Sequence, residues 1–190
     1  RGERRDCRVV LRPPTRHDRC RETWPIERRD TDAELSDPPM ADVRFAVTTD
    51  FASPPRVVWD ELVDWKAHEA WIPATRVEVD GDDPTAVGAT FTAWTGFGRL
   101  ALEDRMRVSE CAWVDKTERG SCEVEKLGPV LRGRAGFTVE PSGEGARVEW
   151  IEDVTVSWLP GLLAPVAAWF GAMGFKVGMR RLNRMLAQRN

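Results

Sequence analysis

The chain has 190 residues, of which 42% are hydrophobic and 31% charged, and it carries a formal net charge of −3. That length suits one domain of ordinary size with an appended segment, and the apolar share is enough for a core. The weak negative charge disfavours nucleic acid, which would normally be met by a strongly basic face.

Residues 1–39 contain ten Arg and nine acidic residues but scarcely an apolar run. Such a segment buries too little surface to offset its ordering entropy, so a disordered Arg-rich leader is expected. Its acids set it apart from a transit peptide, and upstream sequence translated from a misplaced start would look the same. The patterned domain is expected over 40–190.

From Asp42 the period is two: Val43, Phe45, Val47, Thr49 and Phe51 alternate with Arg44, Ala46, Thr48 and Asp50, which predicts a half-buried strand. Ser53 followed by Pro54 reads as an N-cap and a first helical residue that needs no N–H. Val58, Leu62 and Trp65 then recur at helical spacing, and Trp71-Ile72-Pro73 ends a second short helix. His68, between these helices, reads as a solvated loop residue rather than an acid/base at a pocket mouth.

A meander follows, with strands expected near 75–80, 87–95, 99–109, 121–127, 130–140 and 146–158, punctuated by Gly and Pro. One face is apolar, through residues such as Val77, Phe91, Met106, Val108, Phe137, Val148 and Trp150. The other is charged, through Arg105, Arg107, Arg132, Arg134, Glu149 and Asp153, and parity also turns Trp94 outward. A one-sided antiparallel sheet needs a cover. The cover expected is one long C-terminal helix with an apolar stripe of Val166, Trp169, Phe170, Met173, Val177, Leu182, Met185 and Leu186. Gly171, Gly174 and Gly178 share one side of that helix, which calls either for very close approach to the sheet or for room for a guest.

Cys7, Cys20, Cys111 and Cys122 lack CxxC spacing and are read as free thiols in a reducing cytoplasm. Cys111 and Cys122 flank a hairpin loop and could pair across strands, yet strand parity places them on opposite faces, which argues against a bridge. Only His17 and His68 are available as imidazole ligands, so no metal site is expected. No nucleophile elbow, phosphate loop or Ser/His/Asp set is present, which argues against hydrolase, kinase and dinucleotide roles and leaves no cofactor implied.

The order of strand, two short helices, six-strand meander and long terminal helix resembles the START-like, birch-allergen-like superfamily, also called SRPBCC. Trp71-Ile72-Pro73, Phe91-Thr92-Ala93-Trp94-Thr95-Gly96, Glu125-Lys126-Leu127-Gly128-Pro129 and Trp150-Ile151-Glu152-Asp153 are similar, more narrowly, to an actinobacterial polyketide cyclase/dehydrase branch. The resemblance covers 40–190. It implies an α+β helix-grip fold, a curved seven-stranded antiparallel sheet around the C-terminal helix, with a cavity between them for a lipid, sterol, polyketide or quinone. No catalytic motif transfers with it, and fold alone does not settle function.

Within the apolar face, parity turns three ionisable groups inward: Glu152 between Trp150 and Val154, Asp104 between Leu102 and Met106, and Lys126 after Cys122 and Val124. A buried carboxylate must find a partner or shift its pKa, and Lys126 is a candidate partner. A bulge or sheet curvature that exposes these positions is the plain structural alternative. The ligand-binding candidates are therefore Glu152, Asp104, Lys126, Trp150, Phe91, Phe137, Trp169 and Met173, with Glu152 and Asp104 the candidates for any catalytic role.

The leading expectation is binding of an apolar small molecule. A cyclase or dehydratase that uses a cavity carboxylate and a protein-interaction module with no ligand are the alternatives. The uncharged run Val154 to Phe175 is long enough to span a bilayer, but alternation through Val156 assigns its first part to a strand. A milder expectation is transient membrane contact through Trp158, Leu159, Leu162 and Leu163.

Overall fold

The computed structural model describes residues 40–98 and 101–189. The expectation of a disordered leader over 1–39 lies outside the described residues.

The sheet has seven strands in the order β1-β7-β6-β5-β4-β3-β2, with every neighbouring pair antiparallel. The strands are β1 (Met40–Phe51), β2 (Thr75–Asp80), β3 (Thr90–Thr95), β4 (Leu102–Val114), β5 (Arg119–Leu127), β6 (Leu131–Ser142) and β7 (Gly145–Pro160). From β2 to β7 each strand pairs antiparallel with the next, the arrangement that short connections allow. β1 instead closes onto β7, with Val43 opposite Val154 and Val47 opposite Trp150, so β1 and β2 occupy opposite edges. The link between them must cross the whole sheet. That crossing is what the two short helices, α1 (Pro55–Val63) and α2 (His68–Trp71), provide.

Helix α1 begins one residue later than the sequence suggests. Pro54 is its N-cap, Pro55 lies in its first turn, and no side chain caps it. Ser53 is instead fully buried. A proline needs no partner for its missing N–H, so the pair of prolines starts the helix without the serine. Val58, Trp59 and Leu62 then face inward. Asp64 accepts a hydrogen bond from the Ala67 amide at the following turn, Trp65–Ala67, which aims the chain into α2.

Two features of the β4–β5 hairpin overturn expectations. The strands run on past 109, and the pairing slips between Val108 and Glu110. A bulge of this kind adds one residue and reverses the parity beyond it. Cys111 therefore lies directly opposite Cys122, and the two are joined in a disulfide. Counting straight through Ser109 had put them on opposite faces. With this pair oxidised, the cysteines no longer point to a reducing compartment.

Two apolar clusters occupy the inner face. The larger gathers Val58, Trp59, Leu62, Trp65, Trp71, Phe91, Phe137 and Trp150 with the end of the last helix, and the smaller holds Ala41, Val43, Val154 and Val156. A turn at Gly161–Leu163 leads into that helix, α3 (Ala164–Arg189). Its C-terminal half buries Gly178, Met179, Leu182 and Leu186. Its N-terminal half rests on the smaller cluster through Ala164, Ala167 and Ala168, and Gly171 lies against the Phe45 ring.

The expected apolar stripe is thus corrected in its first half. Val166, Trp169, Phe170, Met173 and Val177 are all exposed. The reason is steric: a helix approaches a sheet most closely on its small side, and here that side carries Ala and Gly, so the large residues face away. The three glycines likewise divide. Gly171 meets Phe45 and Gly178 meets Trp71, whereas a methyl group at Gly174 would meet nothing within 4 Å.

Candidate functional site

Asp104, Lys126 and Glu152 come together on the inner face, as their parity predicted. Lys126 on β5 is opposite Gly133 on β6, and Glu152 on β7 is opposite Ala135 on β6. These two small residues leave a lane across β6 along which the lysine side chain reaches the next strand. Lys126 Nζ lies 2.5 Å from Asp104 Oδ2 and 3.4 Å from Glu152 Oε2. The indole Nε1 of Trp150 donates to the other oxygen of Glu152, at 3.1 Å. Lys126 and Glu152 are 7% and 5% exposed, so the trio is a buried ionic cluster rather than a surface one.

Its electrostatics follow from one ammonium shared by two carboxylates. Burial works to lower the pKa of Lys126, but the charges of Glu152 and Asp104 overcome it and leave the ammonium more firmly protonated than a free lysine. Burial pushes the Glu152 carboxyl up, the proximity of Asp104 pushes the same way, and Lys126 offsets this only in part. Asp104 Oδ1 is buried and has no hydrogen-bond partner among the described residues. An unsatisfied buried acceptor costs about 1–3 kcal/mol, so this atom is where a donor from outside the chain would be gained most cheaply.

The apolar candidates separate into two groups. Phe91, Phe137 and Trp150 are buried on the same face, where Phe137 stacks on Trp150 with ring centres 5.3 Å apart and Phe91 stacks on Trp65 at 4.4 Å. Trp169 and Met173 do not join them, since they stand on the outer side of α3, 58% and 40% exposed. Next to the trio, Ala93, Leu102 and Leu131 are only half-buried, so this end of the inner face is incompletely covered. Two surface depressions lie elsewhere. One of about 560 Å³ opens on the charged outer face at Ser109, Glu123, Glu125, Arg132 and Arg134, and one of about 310 Å³ lies between Asp42, Arg44 and the start of α3. Neither is the inner-face hollow expected: the first is on the outer face, and the second lies at the β1 edge, against the outward-facing Asp42 and Arg44.

His68 also departs from expectation. Far from being solvated, it is 6% exposed, its Nε2 lies 2.9 Å from the Leu62 carbonyl, and its ring sits among Trp65, Trp71 and Trp150. Burial drives its pKa down to about 4, so it is neutral near pH 7 and Nε2 must carry the proton that the carbonyl accepts. The signal was available in the sequence: a histidine three residues from each of two tryptophans at helical spacing shares their buried side. Trp94, turned outward as expected, is half-buried and lies beneath the Arg76 guanidinium.

Fold and inner face together define a helix-grip domain. The chain belongs to the polyketide cyclase / dehydrase and lipid transport family, whose model matches residues 42–188. That description joins two activities with one physical requirement, the handling of apolar small molecules. Among solved structures the fold is shared with a protein of Thermobifida fusca, 22% identical with a TM-score of 0.55 over 78% of this chain and 95% of that one. It is shared too with a Thermus thermophilus protein, 16% identical with a TM-score of 0.58 over 78% and 99%. A START superfamily protein from Mycobacterium smegmatis is 10% identical, with a TM-score of 0.59 over 77% and 99%. No match is found among curated proteins.

Proposed function

We propose that the inner face binds an apolar small molecule, lipid-like or polyketide-like, that presents a hydroxyl or another hydrogen-bond donor to Asp104. The observation that carries this reading is the buried Asp104 Oδ1, without a partner among the described residues, which stands beside Lys126 and Glu152 in a wall whose other residues are apolar. Half-buried Ala93, Leu102 and Leu131 supply apolar contact on one side, and Phe91, Phe137 and Trp150 back the other. Such a site fits the general pattern of an apolar pocket with a few placed polar groups.

The test is mass spectrometry of the full chain purified under native conditions. An apolar compound with a donor group should accompany the protein, and Asp104→Leu, which removes the acceptor, should release it. A bare protein mass together with no saturable uptake of hydroxylated apolar probes would sink the reading.

A second reading is favoured by Glu152. A buried carboxyl held above its usual range, adjacent to an ammonium, is the arrangement of a general acid. Glu152→Gln divides the two. Retained affinity with lost turnover indicates proton transfer to a polyketide-like substrate, and a change in affinity alone indicates a carrier.

A further inference from the structure

The outer face of α3 carries a second, separate message. Leu162, Val166, Trp169, Phe170, Met173 and Val177 are 81%, 52%, 58%, 63%, 40% and 44% exposed, a contiguous apolar strip with Trp169 and Phe170 packed edge to face on the surface. At roughly 100° per residue, Arg180 and Arg184 fall within the same sector of the helix, one to two turns beyond Val177. The face is therefore apolar over its first half and cationic over its second.

The charges around it are equally lopsided. From residue 154 to the end there is no Asp or Glu, while Lys176, Arg180, Arg181, Arg184 and Arg189 are present, in a chain whose net charge is −3. Arg189 pairs with Glu61. Lys176, Arg180, Arg181 and Arg184 are exposed and form no ion pair among the described residues, although most exposed arginines of the sheet do. The opposite flank of the helix is committed to β1 and the smaller cluster, so lipid cannot surround α3 as it would a membrane-spanning segment, even though the helix has the length and composition for that.

We infer that this face docks on the surface of an anionic lipid bilayer, with the apolar strip seated among the acyl chains and the exposed arginines against lipid phosphates. An apolar strip with tryptophan, continued on the same face by exposed cations, is the composition that binds in the interfacial plane. A second copy of the chain would match the apolar strip but would offer no acids from its own α3 to the four cations. Trp158, near the end of the strand that leads into this helix, is also 68% exposed and adds a second tryptophan to the apolar surface available. This docking uses the outer surface alone and is independent of whether the inner face retains a ligand.

The test is co-sedimentation of the full chain with vesicles of phosphatidylcholine alone or mixed with phosphatidylglycerol. Binding is expected to the mixed vesicles and to weaken with salt. The triple variant Arg180→Gln, Arg181→Gln and Arg184→Gln should weaken it roughly a hundredfold, each arginine near an anionic surface accounting for several-fold. Trp169→Gln with Phe170→Gln should abolish it while leaving the thermal midpoint nearly in place, because both side chains are already more than half exposed. Absence of binding to mixed vesicles, or binding indifferent to both variants, overturns the inference. So does a dimer in sedimentation velocity that the Trp169→Gln, Phe170→Gln variant dissolves, since the occupant would then be a second copy.

Discussion

The two apolar clusters meet at Glu152 on β7 and are built on different plans. The larger is aromatic and sealed: tryptophans and phenylalanines stack under Met179, Leu182 and Leu186, and even a histidine is dehydrated within it. The smaller is made of Val and Ala, and α3 approaches it through small residues, so the helix buries its narrow side there and leaves its broad apolar side bare. One helix thus closes the core with its C-terminal half and offers a surface with its N-terminal half. The ionic trio occupies the boundary between the two regimes.

Breaking the boundary should have the largest effect. Lys126→Ala leaves Asp104 and Glu152 buried without their cation, which is expected to cost about 3–5 kcal/mol in chemical denaturation. Next comes the contrast between the halves of α3. Leu182→Ala should cost about 2–5 kcal/mol, whereas Val166→Ala should stay within about 0.5 kcal/mol. Equal costs for the two would mean that the outer face is covered, and the comparison would fall.

The sealed cluster also has a pH signature. His68 in the folded state has a pKa of about 4 against 6.5 for the free group, so between those values the unfolded chain binds more protons than the native one. Stability from this group is therefore fully present above about pH 6.5 and is lost as pH falls towards 4, by up to about 3 kcal/mol. Denaturation midpoints across that window check the slope. His68→Gln should flatten it, and a slope unchanged by the substitution would place its origin elsewhere.

Much of this was legible in the sequence, because period-two alternation fixes which residues face inward as long as the strand is regular. Asp104, Lys126 and Glu152 were placed correctly for that reason. Cys111 was misplaced because a single bulged residue, invisible to periodicity, reverses all parity after it. The helix misled in another way. Between Val177 and Leu182 the chain turns through roughly 500°, about 140° beyond one full turn, so the two halves of the supposed stripe lie on different sides. Hydrophobicity alone selected the large residues, while packing against β1 selected the small ones. The lane that joins Lys126 to Glu152 was written in Gly133 and Ala135, but small residues carry no signal until the strand order is known.

The smallest effect is also the most discriminating, because one substitution made at two positions should give opposite signs. Replacing glycine by alanine within a helix is worth about 1 kcal/mol in favour of folding where the methyl group is tolerated. At Gly174 nothing lies within 4 Å of the added carbon, so Gly174→Ala should raise stability by about that amount. At Gly171 the same carbon would overlap the Phe45 ring, and that ring is packed against Phe175, so it cannot retreat without disturbing the contact between helix and sheet. Gly171→Ala should therefore destabilise despite the better helix former. A gain at both positions would mean that the N-terminal half of α3 sits off the sheet, with no close approach to explain why its large residues face outward.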